Sequence, residues 1–156
     1  MMTGHHYQNA YICDDIDAAI AAFGQRADIG DVRPFDVEQM LWTPAGMKRV
    51  ATRLAFIWTG DLQYELIQVV ADDSGLYANF ADNGGLLHFH HVCMRVPVWE
   101  PFRAAVSQQD LPVVLERANE GDQLKFLYLD GRSFCGHYLE YCWMTDEMWA
   151  RLGGPA

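Results

Sequence analysis

The chain has 156 residues, 51% of them hydrophobic and 21% charged, a balance that excludes a disordered polypeptide and is ordinary for a globular one. A net charge of −10 and a pI near 4.8 argue against nucleic acid or an anionic membrane as partner, because clustered Lys and Arg hold such partners. There is no basic-then-apolar leader at Met1 and no apolar run of the roughly 18 to 20 residues that span a bilayer, so a cytoplasmic protein acting on a small molecule is expected.

After a lead-in at Met1 to Tyr7, Gln8 to Cys13 reads as a strand that stops at Asp14-Asp15. Those carboxylates suit a helix N-terminus, where backbone N–H groups lack partners. Ile16, Ala19, Ile20 and Phe23 then form one apolar stripe at helical spacing, closed by Gly24. Three strands are expected next, over about Asp31 to Trp42, Ala51 to Trp58 and Leu62 to Val70. Pro44-Ala45-Gly46 and Thr59-Gly60-Asp61 are their turns, and Pro34 weakens the start of the first. A connector from Ala71 to Leu87 follows, with room for one short helix at Leu76 to Phe80.

The pattern then begins again: a strand over His88 to Val96, a helix from Trp99 to about Gln109, and strands over Val113 to Arg117, Leu124 to Leu129 and Gly136 to Trp143. Trp99, Phe102 and Val106 lie 83 positions after Ile16, Ala19 and Phe23, and the same offset carries Gln8 onto His91. The closing strands repeat with an offset of 75, which carries Glu65 onto Glu140; shorter turns in the second half account for the difference. The organisation is α+β, one domain of two βαβββ modules in tandem. Module 1 covers about 8–70, the connector about 71–87, module 2 about 88–143, and a closing helix about 145–152.

In an extended strand His91, Cys93 and Arg95 share one face, which can hold a metal, and Val92, Met94 and Val96 share the other, which can hold a core. If the modules fold alike, their first and last strands bring Gln8, Glu65, His91 and Glu140 to one cleft. An imidazole, two carboxylates and an amide oxygen suit Zn²⁺, Ni²⁺, Co²⁺, Mn²⁺ or Fe²⁺. His6 lies two residues before Gln8 on the same face of an unbroken strand, so a shift along that face would make it the ligand instead. His88 is a candidate for the surroundings of the ligands, Arg95 for an anionic substrate group or a salt bridge, and Trp42 and Trp58 for the lining of an apolar pocket. Cys13, Cys93, Cys135 and Cys142 lie in or beside expected strands without CxxC spacing and read as reduced.

The double βαβββ layout, DDIDAAIAAF after the opening strand, ELI after a hairpin, HHVCMRV at the second opening and the closing GHYLEY resemble the vicinal-oxygen-chelate (glyoxalase/bleomycin-resistance) superfamily, over roughly Gln8 to Trp143. Within it the sequence looks most similar to the glyoxalase I and methylmalonyl-CoA epimerase branch. That resemblance implies metal ligands at Gln8, Glu65, His91 and Glu140, one divalent ion, and a homodimer. It also implies proton transfer beside a carbonyl, as a lyase, isomerase or epimerase, with Glu140 and Glu65 moving the proton. Two alternatives on the same fold are an Fe²⁺ ring-cleavage dioxygenase, which needs two histidines and one carboxylate, and a non-enzymatic binding or resistance protein.

Overall fold

A computed structural model describes residues 3–156; Met1 and Met2 of the expected lead-in lie outside the described residues. The chain runs β1 (His5–Ile12), α1 (Ile16–Gly24), β2 (Phe35–Thr43), β3 (Gly46–Thr59), β4 (Leu62–Asp72), a 3₁₀ turn (Leu76–Ala78), β5 (His88–Arg95), α2 (Trp99–Val106), β6 (Val113–Arg117), β7 (Leu124–Leu129), α3 (Arg132–Cys135), β8 (Tyr138–Met144) and α4 (Asp146–Arg151). Each half is therefore βαβββ, with short extra helices α3 and α4 in the second.

Local chemistry sets these limits. The Asp15 carboxylate accepts the Ala18 N–H at 3.0 Å and starts α1. β2 begins at Phe35 instead of Asp31, because Pro34 has no N–H to give a ladder. β3 starts earlier than expected, since pairing across the Pro44-Ala45 turn extends to Thr43 opposite Gly46. The second helix stops at Val106, short of Gln109, whose amide is bonded to both the N–H and the carbonyl of Leu111 and so closes a turn instead of a helix. β8 starts at Tyr138 because Gly136, at φ +85°, ends the unanticipated α3.

The eight strands close into one barrel in the order β1-β4-β3-β2-β6-β7-β8-β5. β1 and β5 run antiparallel at the join between the halves, and each pairs in parallel with the last long strand of its own half. The registers repeat: Gln8 lies opposite Gln63 and Ala10 opposite Glu65, while His91 lies opposite Tyr138 and Cys93 opposite Glu140. On the far side of the barrel β2 meets β6 through one pair only, Trp42 and Glu116.

Both helices lie outside the barrel on equivalent strands. Ile16 and Ala19 of α1 pack on Ala55, Ile57 and Leu66, and Trp99, Phe102 and Val106 of α2 pack on Leu127, Leu139 and Tyr141. This explains why Glu65 and Glu140 sit between apolar neighbours. Leu66 and Leu139 face a helix, whereas Glu65 and Glu140 face the barrel interior. Full burial of a side chain such as Leu66 stabilises by about 1.5–3 kcal/mol, so the helices fix which face points inward.

The simple alternation expected for β1 and β5 is broken once in each strand, at equivalent places. In β1 the pairing steps from His6–Met94 to Gln8–Cys93, leaving Tyr7 extra; in β5 it steps from His91–Ala10 to Phe89–Tyr11, leaving His90 extra. Such bulges turn two consecutive side chains toward one side. Tyr7 and Gln8 are both buried, as are His90 and His91, and the histidine pair differs from the strict alternation read from sequence.

Candidate metal centre

The inner faces of β4, β5 and β8 bring Glu65, His91 and Glu140 together at one point. His91 Nε2 is 3.0 Å from Glu140 Oε2 and 3.5 Å from Glu65 Oε2. One donor atom from each of the three lies within 4.8 Å of the others, and all three residues are buried. Gln8, the fourth expected ligand, lines the same cavity as Glu65 and Glu140. Its Nε2 donates to Gln63 Oε1 at 2.6 Å, which leaves Gln8 Oε1 buried with no hydrogen-bond partner.

Burial alone would lower the pKa of His91, but hydrogen bonds and charge from Glu140 and Glu65 outweigh it and raise the value to about 9. Burial raises Glu65, against the pull of His91. A bare imidazole nitrogen facing two carboxylates in a buried space needs a positive charge between them. Either a proton on His91 or a cation supplies it. Three converging donors and an orphaned amide oxygen nearby make a divalent ion a good chemical fit.

His90 is the neighbour that alternation had turned away. Its ring is 1% exposed, its Nδ1 is 2.8 Å from His91 Nδ1, and its Nε2 is 3.1 Å from the Leu76 carbonyl. Burial, then the adjacent His91, lower its pKa to about 3. Tyr128 sets its ring edge-on to His91, with its hydroxyl 3.4 Å from Nε2. Gln63 and Tyr128 were not singled out from sequence, and His90 reads there as a neighbour of His91 that is not a ligand. A weak signal existed for Gln63, which stands at the position equivalent to Tyr138 in the repeat.

Other expected residues lie elsewhere. His6 is exposed and bonded to Asn9 Oδ1 at 2.9 Å, because the Tyr7 bulge turns it away from Gln8's side. The cluster thus contains one histidine, unlike the two-histidine set of the ring-cleavage expectation. His88 stacks on Phe80 with ring centroids 4.8 Å apart. Arg95 is bound to Asp146 at 3.1 Å and lies over Trp149, in a surface cleft with His5 and Trp143. Trp42 is on the outer surface and Trp58 donates to the Leu152 carbonyl, so neither lines the central cavity. That cavity, about 270 Å³, is lined instead by Tyr7, Phe56, Tyr77, Phe126 and Tyr128 among others. Its cation is Arg117, held by Asp122 and by Gln39 across the β2–β6 seam. All four cysteines are free thiols.

The model of the Glyoxalase/Bleomycin resistance protein/Dioxygenase superfamily matches residues 7–128, most of the chain. The chain belongs to this superfamily. No curated protein matches it. Solved structures similar to this superfamily member include a hypothetical protein from Bacillus halodurans C-125, at 16% identity and a TM-score of 0.62 over 92% of this chain and 96% of that one. They also include a Streptomyces coelicolor methylmalonyl-CoA epimerase variant in complex with 2-nitronate-propionyl-CoA (15%, 0.62, 92% and 99%). A third is methylmalonyl-CoA epimerase from Mycobacterium tuberculosis (15%, 0.59, 96% and 97%). At such identities the likeness is one of fold. Among the described residues no helix is long and apolar enough to cross a membrane.

Proposed function

We propose that the protein is a metal-dependent enzyme that moves a proton at a carbon next to a carbonyl, as an isomerase, epimerase or lyase on a compact substrate. The observation that carries this reading is the buried convergence of Glu65, His91 and Glu140, with both carboxylates on the wall of the central cavity. Gln8, Glu65, His91 and Glu140 would hold the ion. When bound, a divalent ion supplies Lewis acidity to neighbouring substrate oxygens, so the adjacent carbon becomes easier to deprotonate.

The chain's own residues do the rest. Glu140 and Glu65, facing each other across the pseudo-twofold axis, serve as base and reprotonating acid. Burial raises the Glu65 carboxyl toward working pH, which suits a group that must both take and return a proton. The aromatic walls exclude water from the reacting carbon and select an apolar body, and a cavity of about 270 Å³ stands at the small end of ligand pockets.

Metal-loaded protein incubated in D₂O with small 2-oxoaldehyde hemithioacetals and with acyl-CoA epimers tests this reading. Deuterium should enter the carbon beside the carbonyl of at least one of them, and Glu140→Gln should slow that exchange at least about 100-fold. Loaded protein that exchanges none of them, or a variant as fast as the parent, would rule the reading out.

A further inference from the structure

We propose that His90 is a positioning residue that fixes the tautomer of His91, so that Nε2 is the nitrogen presented to the ion. This rests on the metal reading above and adds a residue to it. A carbonyl oxygen only accepts, so the contact from His90 Nε2 to the Leu76 carbonyl at 3.1 Å places a proton on that nitrogen. The other nitrogen, Nδ1, is 2.8 Å from His91 Nδ1, and one proton must lie between the two. His90 is enclosed by rings: Tyr77 stacks on it at 5.2 Å and Tyr138 lies at 5.0 Å, and none of its hydrogen-bond partners is an anion. A charged ring has no compensation there, so His90 is neutral and its Nδ1 accepts. The shared proton belongs to His91 Nδ1.

The chain of donors thus runs from His91 Nδ1–H to His90 Nδ1, and from His90 Nε2–H to Leu76. It leaves His91 Nε2 facing Glu140 and Glu65 with its lone pair free for a metal. The reverse arrangement would put an N–H where the ion needs a ligand. The support reaches into the connector, since Asp72 accepts from the Ser74, Gly75 and Tyr77 N–H groups and so holds the turn that carries the Leu76 carbonyl and the Tyr77 ring. The β5 bulge makes this possible by turning His90 and His91 to the same side. Partners of this kind orient metal-bound histidines, and their loss typically weakens metal binding about 10–100-fold.

The test is Zn²⁺ affinity, by competition with a chromophoric chelator, for the parent, His90→Leu, His90→Gln and His90→Asn, with thermal melts to establish folding. Asn can place an acceptor oxygen near the former Nδ1, whereas Gln reaches toward the former Nε2 and Leu offers neither. His90→Leu and His90→Gln should bind Zn²⁺ about 10–100-fold more weakly, and His90→Asn should recover most of the loss. Folded His90→Leu with parental affinity, or no difference between His90→Asn and His90→Leu, overturns the proposal. If the parent itself binds no Zn²⁺, or if the variants do not fold, ¹⁵N NMR of the parent decides. A His90 proton on Nε2 alone supports the relay, and one on Nδ1 overturns it. Failure of the metal reading is thereby separated from failure of the relay.

Discussion

At the scale of single residues the protein concentrates its conflict in three side chains. Glu65, His91 and Glu140 share a buried point that neutral packing would fill better; His91 favours the charge of the carboxylates, which disfavour each other's. The metal-free protein should therefore respond to pH with a definite sign. His91, raised to about 9, stabilises the fold below its unfolded value near 6.5 and loses that contribution as pH rises through 9; Glu65, also raised, changes in the same direction from about 4.5 upward. Thermal melts without metal should fall between pH 6 and 9.5, and saturating Zn²⁺ should remove the fall, because the ion replaces the proton. A metal-free melting temperature that rises over that range contradicts the assigned charges. His91→Ala should remove the His91 share of this fall and leave the Glu65 share, measured in the same melts.

At the scale of elements, the helices and most strands were legible because each carries its own signal. The Ile16–Phe23 stripe, the Asp15 cap and the TGD turn, with Gly60 at φ +63°, speak locally. Asp15→Ala should cost about 1 kcal/mol in urea unfolding while leaving metal affinity within twofold, since α1 lies outside the barrel; a large loss of affinity would contradict that placement. Leu66→Ala, beneath the same helix, should cost about 2–5 kcal/mol by the same measurement. The repeat made two equivalent pairs legible in the sequence, Gln8 with His91 and Glu65 with Glu140. The bulges were not legible, because a bulge is selected by barrel closure and long-range pairing, and nothing in YQ or HH announces it. Strict alternation therefore left His6 open as a ligand and set His90 on the face opposite His91. Asp72→Ala, in the connector, should weaken Zn²⁺ binding although Asp72 is not a ligand; unchanged affinity would confine the support of His91 to the strand.

At the scale of the whole molecule, two half-barrels joined at β1–β5 place the candidate donors at their common wall. The candidate Glu65, His91 and Glu140 cluster comes from one chain. The opposite seam is held by one strand pair together with the Arg117–Gln39 hydrogen bond. Backbone amides of β2 and β6 at that seam should exchange with deuterium faster than those of β1 and β5, as measured by hydrogen-exchange mass spectrometry. Equal protection on both sides would contradict a weak seam. Charge and composition argue for a small-molecule partner, but the lining of the cavity was not legible. Trp42 and Trp58 looked like wall residues, but closure of the barrel leaves Trp42 exposed, packs Trp58 against Tyr7 and Trp149 beside the cavity, and brings Tyr77, Phe126 and Tyr128 to its wall.

The central claim is tested most directly by the metal content of untagged protein purified without added metal, alongside His91→Ala and Glu140→Ala. The account predicts about one divalent ion per chain in the parent and loss of that ion in both variants. Metal-free parent protein whose melting temperature is unmoved by Zn²⁺, Ni²⁺, Co²⁺, Mn²⁺ or Fe²⁺ would contradict it and leave a small-molecule binding protein on the same fold.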